Sequence, residues 1–115
     1  MTKLVHTTLV LSHPADKRAV WEARSAFLTV IEAETDLIDE MDVVVPVDKI
    51  TTFLEYAHEI GDKYEVRIRS FGHAGDGNLH IYCCANDMDE AVFLERSAKV
   101  MKAAYEKCTE LRGQV

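Results

Sequence analysis

Cysteine is scarce in this 115-residue chain: Cys83, Cys84 and Cys108 are too few and too oddly numbered for a disulfide framework. A reducing, cytoplasmic setting is the default expectation. No apolar run approaches the roughly 20 residues that span a bilayer, and the start, Met1-Thr2-Lys3-Leu4-Val5-His6, lacks the long apolar core of a secretion signal. Basic residues are outnumbered, 13 Lys and Arg against 20 Asp and Glu, for a formal charge of −7. That balance argues against nucleic-acid binding, which needs clustered basic side chains, and against adhesion to anionic membranes. Linkers, internal repeats and low-complexity segments are also missing. What remains is a globular composition, 48% hydrophobic and 29% charged, of the size of one domain over residues 1–115, with a modest core.

Residues 4–11 are rich in β-branched and leucine side chains and read as a strand. Ser12, Pro14 and Asp16 give start signals for a helix running to about Ala33, with Val20, Ala23, Phe27 and Val30 as one apolar stripe and Trp21, Arg24 and Leu28 as a second. A helix apolar on two sides usually touches two things, here its own sheet and another domain. Asp42-Val43-Val44-Val45-Pro46 is a short strand, and Asp48 is placed to cap a helix whose apolar face is Ile50, Phe53, Leu54, Ala57 and Ile60, with Gly61 to end it.

Residues 64–73 alternate, with Tyr64, Val66 and Ile68 on one face and Glu65, Arg67, Arg69, Phe71 and His73 on the other. Asp76-Gly77 is the strongest hairpin-turn signal in the chain. The return strand, about 78–84, puts Leu79, Ile81 and Cys83 on one side and His80, Tyr82 and Cys84 on the other. A last helix, about 88–112, carries Ala91, Leu94, Ala98, Met101, Tyr105 and Cys108 at spacings of three and four, with Asp87 and Asp89 at its start and Gly113 as its stop. The order β-α-β-α-β-β-α predicts an α+β fold, a ferredoxin-like antiparallel sheet with helices packed on one face.

The stretch from Phe71 to His80 carries the chemistry. Three glycines within six residues mean unusual dihedrals or close approach. If Asp76-Gly77 forms the turn, His73 and His80 sit on facing arms of one hairpin, on the same side. Two imidazoles so placed are half of a divalent-metal site. A surface hairpin with nothing bound fits the same spacing. A catalytic site normally takes three protein ligands, and no third is evident: Asp76 would have to fold back, and His58 is on a helix of unknown orientation. Arg24, taken alone, reads as a solvated helix residue or one partner of a surface ion pair.

The segment Gly72-His73-Ala74-Gly75-Asp76-Gly77-Asn78-Leu79-His80 resembles the Gly-His-x-Gly-Asp-Gly-Asn-x-His signature of the FAD-linked oxidase C-terminal (cap) domain, at seven fixed positions over nine residues. That domain occurs in D-lactate dehydrogenases, glycolate oxidase flavin subunits and D-2-hydroxyglutarate dehydrogenases. Trp21-Glu22-Ala23-Arg24 is similar to the family's Trp-x-x-Arg, and Asp42-Val43-Val44-Val45-Pro46 to its Asp-x-x-x-Pro. The resemblance runs from about residue 18 to 115. It implies that His73 and His80 are metal ligands for zinc, manganese or iron, that Asn78 lies against the substrate, and that Arg24 pairs with the substrate carboxylate. Family members continue past the equivalent of Gly113-Gln114-Val115 into a Ser-Gly/Ala-Glu-His-Gly motif, which supplies a third ligand and a base, and their flavin domain precedes the cap.

The resemblance therefore implies an excised piece or a truncated reading frame, with no complete catalytic set, no flavin site and no turnover alone. The intact parent would oxidise a D-2-hydroxy acid to the 2-oxo acid with FAD. Its electrons would pass to an electron-transfer flavoprotein, a quinone or an iron–sulfur subunit, which could hold the protein peripherally at a membrane. The face normally covered by the flavin domain would leave the fragment prone to form a homodimer. The rivals are a free-standing ferredoxin-like module binding a small ligand or metal for regulation, and a structural oligomerisation domain.

Overall fold

Period-two alternation through residues 67–73 and 78–85 builds the centre of the sheet. The computed structural model describes residues 6–11, 17–73 and 77–113, with Leu11 and His73 described by their backbone only. Strand β3 (Arg67–His73) and strand β4 (Asn78–Ala85) form an antiparallel hairpin in which Phe71 faces His80 and Ile68 faces Cys83. Strand β2 (Leu37–Val44) pairs antiparallel along the outer side of β4, and strand β1 (Thr7–Leu11) pairs parallel with β3. The sheet order is β1-β3-β4-β2.

Each face of this sheet has its own cover. Met41, Val43, Leu79, Ile81, Cys83, Val66 and Ile68 meet Ile50, Phe53 and Leu54 of helix α2 (Ile50–Tyr64) and Phe93, Val100, Ala104 and Cys108 of helix α3 (Glu90–Glu110). On the opposite face Phe71, Tyr82 and Cys84 meet helix α1 (Lys17–Glu34) through Ile31, Val20, Ala23, Phe27 and Leu28. The expected α+β, ferredoxin-like class stands. Two particulars differ: the β1–β3 pair is parallel, and α1 lies on the other side of the sheet from α2 and α3. Both follow from a crossover that carries the chain from one sheet edge to the other, since β1 and β2 are the two outermost strands.

Several boundaries move for local reasons. β2 begins five residues before the expected Asp42, because pairing with β4 overrides the poor strand propensity of Asp39, Glu40 and Asp42. Asp48 does not cap α2. Pro46 opens a single 3-10 turn over Val47–Lys49, closed by the Lys49 N–H on the Pro46 carbonyl at 2.8 Å, and Lys49 takes the cap position. Gly61 does not end α2, which runs on to Tyr64 and stops with Glu65 in the left-handed region at φ 59°. Gly61 is there for proximity. A Cβ on it would lie 2.6 Å from Ile68 Cγ1 and 2.7 Å from the Val66 carbonyl oxygen. Tyr64, expected in the strand, therefore belongs to the helix.

The buried stripe of α3 is Phe93, Ser97, Val100, Ala104 and Cys108, rotated from the expected one, so Leu94 stands 50% exposed. Buried Ser97 supplies the reason, because its hydroxyl donates to the Asp39 carboxylate at 2.9 Å and turns a polar residue inward. Asp89 caps α3 as expected, accepting from the Val92 N–H. In α1, Ile31 replaces Val30 on the packed stripe, and Trp21 is 64% exposed. Among the described residues, no helix is long and apolar enough to cross a membrane.

Two tests of this packing follow. Gly77 has φ 70° and accepts the Val45 N–H at 3.0 Å, and a Cβ there would collide with the Val45 carbonyl oxygen. Gly77→Ala should destabilise the chain by on the order of 2–4 kcal/mol in urea unfolding, and an unchanged midpoint would refute the close approach. The second concerns His58 on α2, whose ring stacks on His6 at 4.8 Å. His6 is itself held at both nitrogens, accepting the Ile68 N–H at 2.9 Å and donating to Asp62 at 2.8 Å. Burial first, then the His6 ring, lower the His58 pKa, against the opposing charges of Asp62 and Glu55. The folded chain thus resists a proton that the unfolded chain accepts at about pH 6.5. Stability is full above that pH and falls as pH drops below it. Urea midpoints at about pH 7.5 and about pH 5.5 should show the loss, and His58→Gln should shrink it.

Candidate functional site

The face of the sheet turned toward α1 is where polar groups collect. Register decides their company. Glu40 lies opposite Tyr82, Asp42 opposite His80, and Phe71 opposite His80 from the other side, so these side chains share one face. Arg24 reaches the same place from α1. Its Nη2 donates to Glu40 Oε1 at 2.5 Å, with both side chains about one-third exposed.

His80 is the hub. Its Nδ1 lies 2.5 Å from Asp42 Oδ1 and 3.7 Å from Glu40 Oε1, and its ring centroid is 6.4 Å from that of Phe71. Tyr82 is fully buried beneath it. Its hydroxyl sits close to Arg24 without a well-formed hydrogen bond, and the Arg24 Nε is likewise buried with no partner among the described residues. Burial, with the Glu40 charge behind it, raises the Tyr82 pKa and keeps the phenol neutral. Burial works to lower the Arg24 pKa, but the bond to Glu40 and the surrounding negative charge raise it on balance, so the guanidinium stays charged.

Of the residues expected from sequence, Arg24 and His80 are joined here through Glu40. Asn78 is exposed at the start of β4, on the same face. The backbone of His73 pairs opposite Asn78, diagonal to His80. The His73 side chain and residues 74–76, Asp76 among them, lie outside the described residues. His58, weighed as a third ligand, is on the far face against His6. The cysteines are buried, and burial pushes the Cys83 thiol up to about 12 and the Cys84 thiol up to about 11, so both stay protonated and inert.

Glu40 and Asp42 are the residues that sequence reasoning missed as site members. With His80 they offer three ligand atoms within 4.8 Å of one another. One imidazole and two carboxylates are a donor set that suits zinc, manganese or iron, so the side chains fit a divalent cation. The signal was the spacing of Glu40 and Asp42, two apart in an extended segment, which puts both on the face of the histidine. The described residues offer FAD no comparable fit. Gly61, Gly72, Gly77 and Gly113 are each closed off by packed neighbours, and among the described residues none cradles a phosphate at a helix start.

Comparison with known proteins bears on the family. The family model "FAD linked oxidases, C-terminal domain" matches residues 1–115. A D-lactate dehydrogenase of Anaerostipes hadrus is 50% identical over 93% of this chain and 22% of its own length. Glycolate oxidase subunit GlcD of Bacillus subtilis is 33% identical over 84% of the chain and 20% of its own length. A D-2-hydroxyglutarate dehydrogenase of Stutzerimonas stutzeri is 36% identical over 64% of the chain. The chain thus spans about a fifth of the length of the relatives it matches. Matched from end to end, it belongs to the family of FAD-linked oxidase C-terminal domains.

Proposed function

We propose that this chain is the substrate- and metal-binding part of an FAD-dependent D-2-hydroxy-acid dehydrogenase of the D-lactate or glycolate type, which oxidises a 2-hydroxy acid to the 2-oxo acid. The observation that carries the proposal is the meeting of Arg24, Glu40, Asp42 and His80 on one sheet face of a chain matched throughout by an FAD-linked oxidase family.

Arg24 takes the substrate carboxylate. A guanidinium fork matches a carboxylate bidentately, and the Glu40 carboxylate already bonded there is a stand-in for it. Glu40 must swing aside when substrate binds. Asn78 lies against the substrate, and His73 and His80 hold the cation. A divalent metal so held would supply Lewis-acid chemistry, which makes a bound hydroxyl group more acidic. Phe71 and Tyr82 keep the floor of the site dry, which strengthens each of these charged contacts. The flavin belongs to a partner domain, for which the exposed Trp21 offers apolar surface. An electron-transfer flavoprotein, a quinone or an iron–sulfur subunit would accept the electrons.

Titrating the metal-free chain with zinc or manganese at neutral pH tests the site. Weak uptake is expected, and His73→Ala and His80→Ala should each abolish it; equal uptake by the double variant would remove the metal from the proposal. Arg24→Ala should change the unfolding free energy measured in urea by no more than about 1 kcal/mol, because a partly exposed ion pair contributes little. In a longer protein carrying this chain, the same substitution should raise KM for the hydroxy acid at least about tenfold, as expected for losing a charge-assisted bidentate contact. A large stability loss with an unchanged KM would make Arg24 a structural residue.

A further inference from the structure

We propose that Asp42 is the positioning residue for His80: it fixes the ring proton on Nδ1 and so presents Nε2 to the cation. This rests on the metal-binding reading above and assigns Asp42 a place behind the ligand, not among the ligands.

The sheet builds the contact. Asp42 and His80 are directly opposed on antiparallel strands, and Nδ1 meets Oδ1 at 2.5 Å. A carboxylate can only accept, so the proton in that contact is on Nδ1. Glu40 lies 3.7 Å from the same nitrogen and adds negative charge on the same side. Both acids therefore favour one tautomer. From the opposite strand Phe71 flanks the ring, with planes inclined by 34°, so the imidazole is held between β2 and β3. Nε2 has no hydrogen-bond partner among the described residues. A ligating histidine whose other N–H is given to a carboxylate is both oriented and made more basic.

The same three side chains could instead be read as ligands together, since their donor atoms lie within 4.8 Å. That arrangement would require the ion at Nδ1, where it must displace the proton and break the shortest contact His80 makes. His80 is 20% exposed and braced on both sides, while Asp42 is 61% exposed and, among the described residues, anchored by the ring. The geometry points to the histidine as ligand and the aspartate as its support.

The test uses the 15N-labelled chain and zinc alone, comparing wild type with Asp42→Ala, Asp42→Asn and His80→Ala. Long-range 1H–15N correlation spectra of the metal-free chain should show His80 as the Nδ1–H tautomer, moving toward Nε2–H in Asp42→Ala. Zinc affinity should fall by about 10- to 100-fold in Asp42→Ala. Asp42→Asn, whose amide oxygen still accepts from Nδ1–H, should recover most of it. The zinc-loaded wild type should keep its Nδ1–H signal. His80 found as Nε2–H without metal, zinc found on Nδ1, or wild-type affinity in Asp42→Ala would each overturn the positioning role while leaving a metal site standing. Zinc uptake indifferent to His80→Ala would instead remove the metal site itself, and the assignment of Nε2 with it. Circular dichroism of each variant separates these outcomes from misfolding, which the exposure of Asp42 makes a small risk.

Discussion

Antiparallel register between β2, β4 and β3 is the constraint on which the polar face depends. Because strand side chains alternate with period two, a slip of one residue in β2 would turn Glu40 and Asp42 into the core and bring Met41 and Val43 out to Arg24 and His80. Both halves of that exchange are unfavourable: carboxylates would be buried without partners, and apolar side chains would face water. The apolar packing beneath α2 and α3 therefore enforces the placement of the charged groups on the other side. Core and site are two readings of one alignment.

The division of labour between the faces has an energetic basis. The α2–α3 side is dry and filled by aliphatic and aromatic groups such as Leu79, Ile81, Phe53 and Phe93, which supply the burial that holds a small domain together. The α1 side is covered only in part. Phe27 touches Phe71 at 5.8 Å and Tyr82 at 6.3 Å between ring centroids, so an aromatic cluster lies under half of the helix. Beyond it, charged side chains compete for one another. Arg24 and Tyr82 keep polar atoms that are buried and unmatched among the described residues. Unmatched buried groups are costly, and they concentrate where a ligand supplies the missing partner.

Much of this architecture was legible in the residues themselves. The alternation of β4 assigned Leu79, Ile81 and Cys83 to one side and His80, Tyr82 and Cys84 to the other, and the structure agrees. The Asp89 cap and most of the α1 stripe were also readable. What escaped was set by contacts distant in sequence. Ser97 faces inward because Asp39, on another element, accepts its hydroxyl. Gly61 reads as a stop by composition but serves a helix–strand approach. Glu40 was invisible as a site residue because acids argue against a strand, and only pairing with β4 makes residues 37–41 extended. A strand extended to residue 37 would have brought both acids to His80.

The parallel pairing of β1 has a consequence for how the chain assembles. The β3–β4 hairpin closes over a handful of residues, whereas His6 reaches its Ile68 partner across 62. Closing a loop that long costs more entropy than a local turn, and that cost must be met before the contact is rewarded. The hairpin and the helices beside it can thus form first, with the N-terminal strand zipping on late along the open edge of β3. By the same reasoning β1 should exchange its amide protons before the central strands β3 and β4, so that the sheet opens from that edge inward.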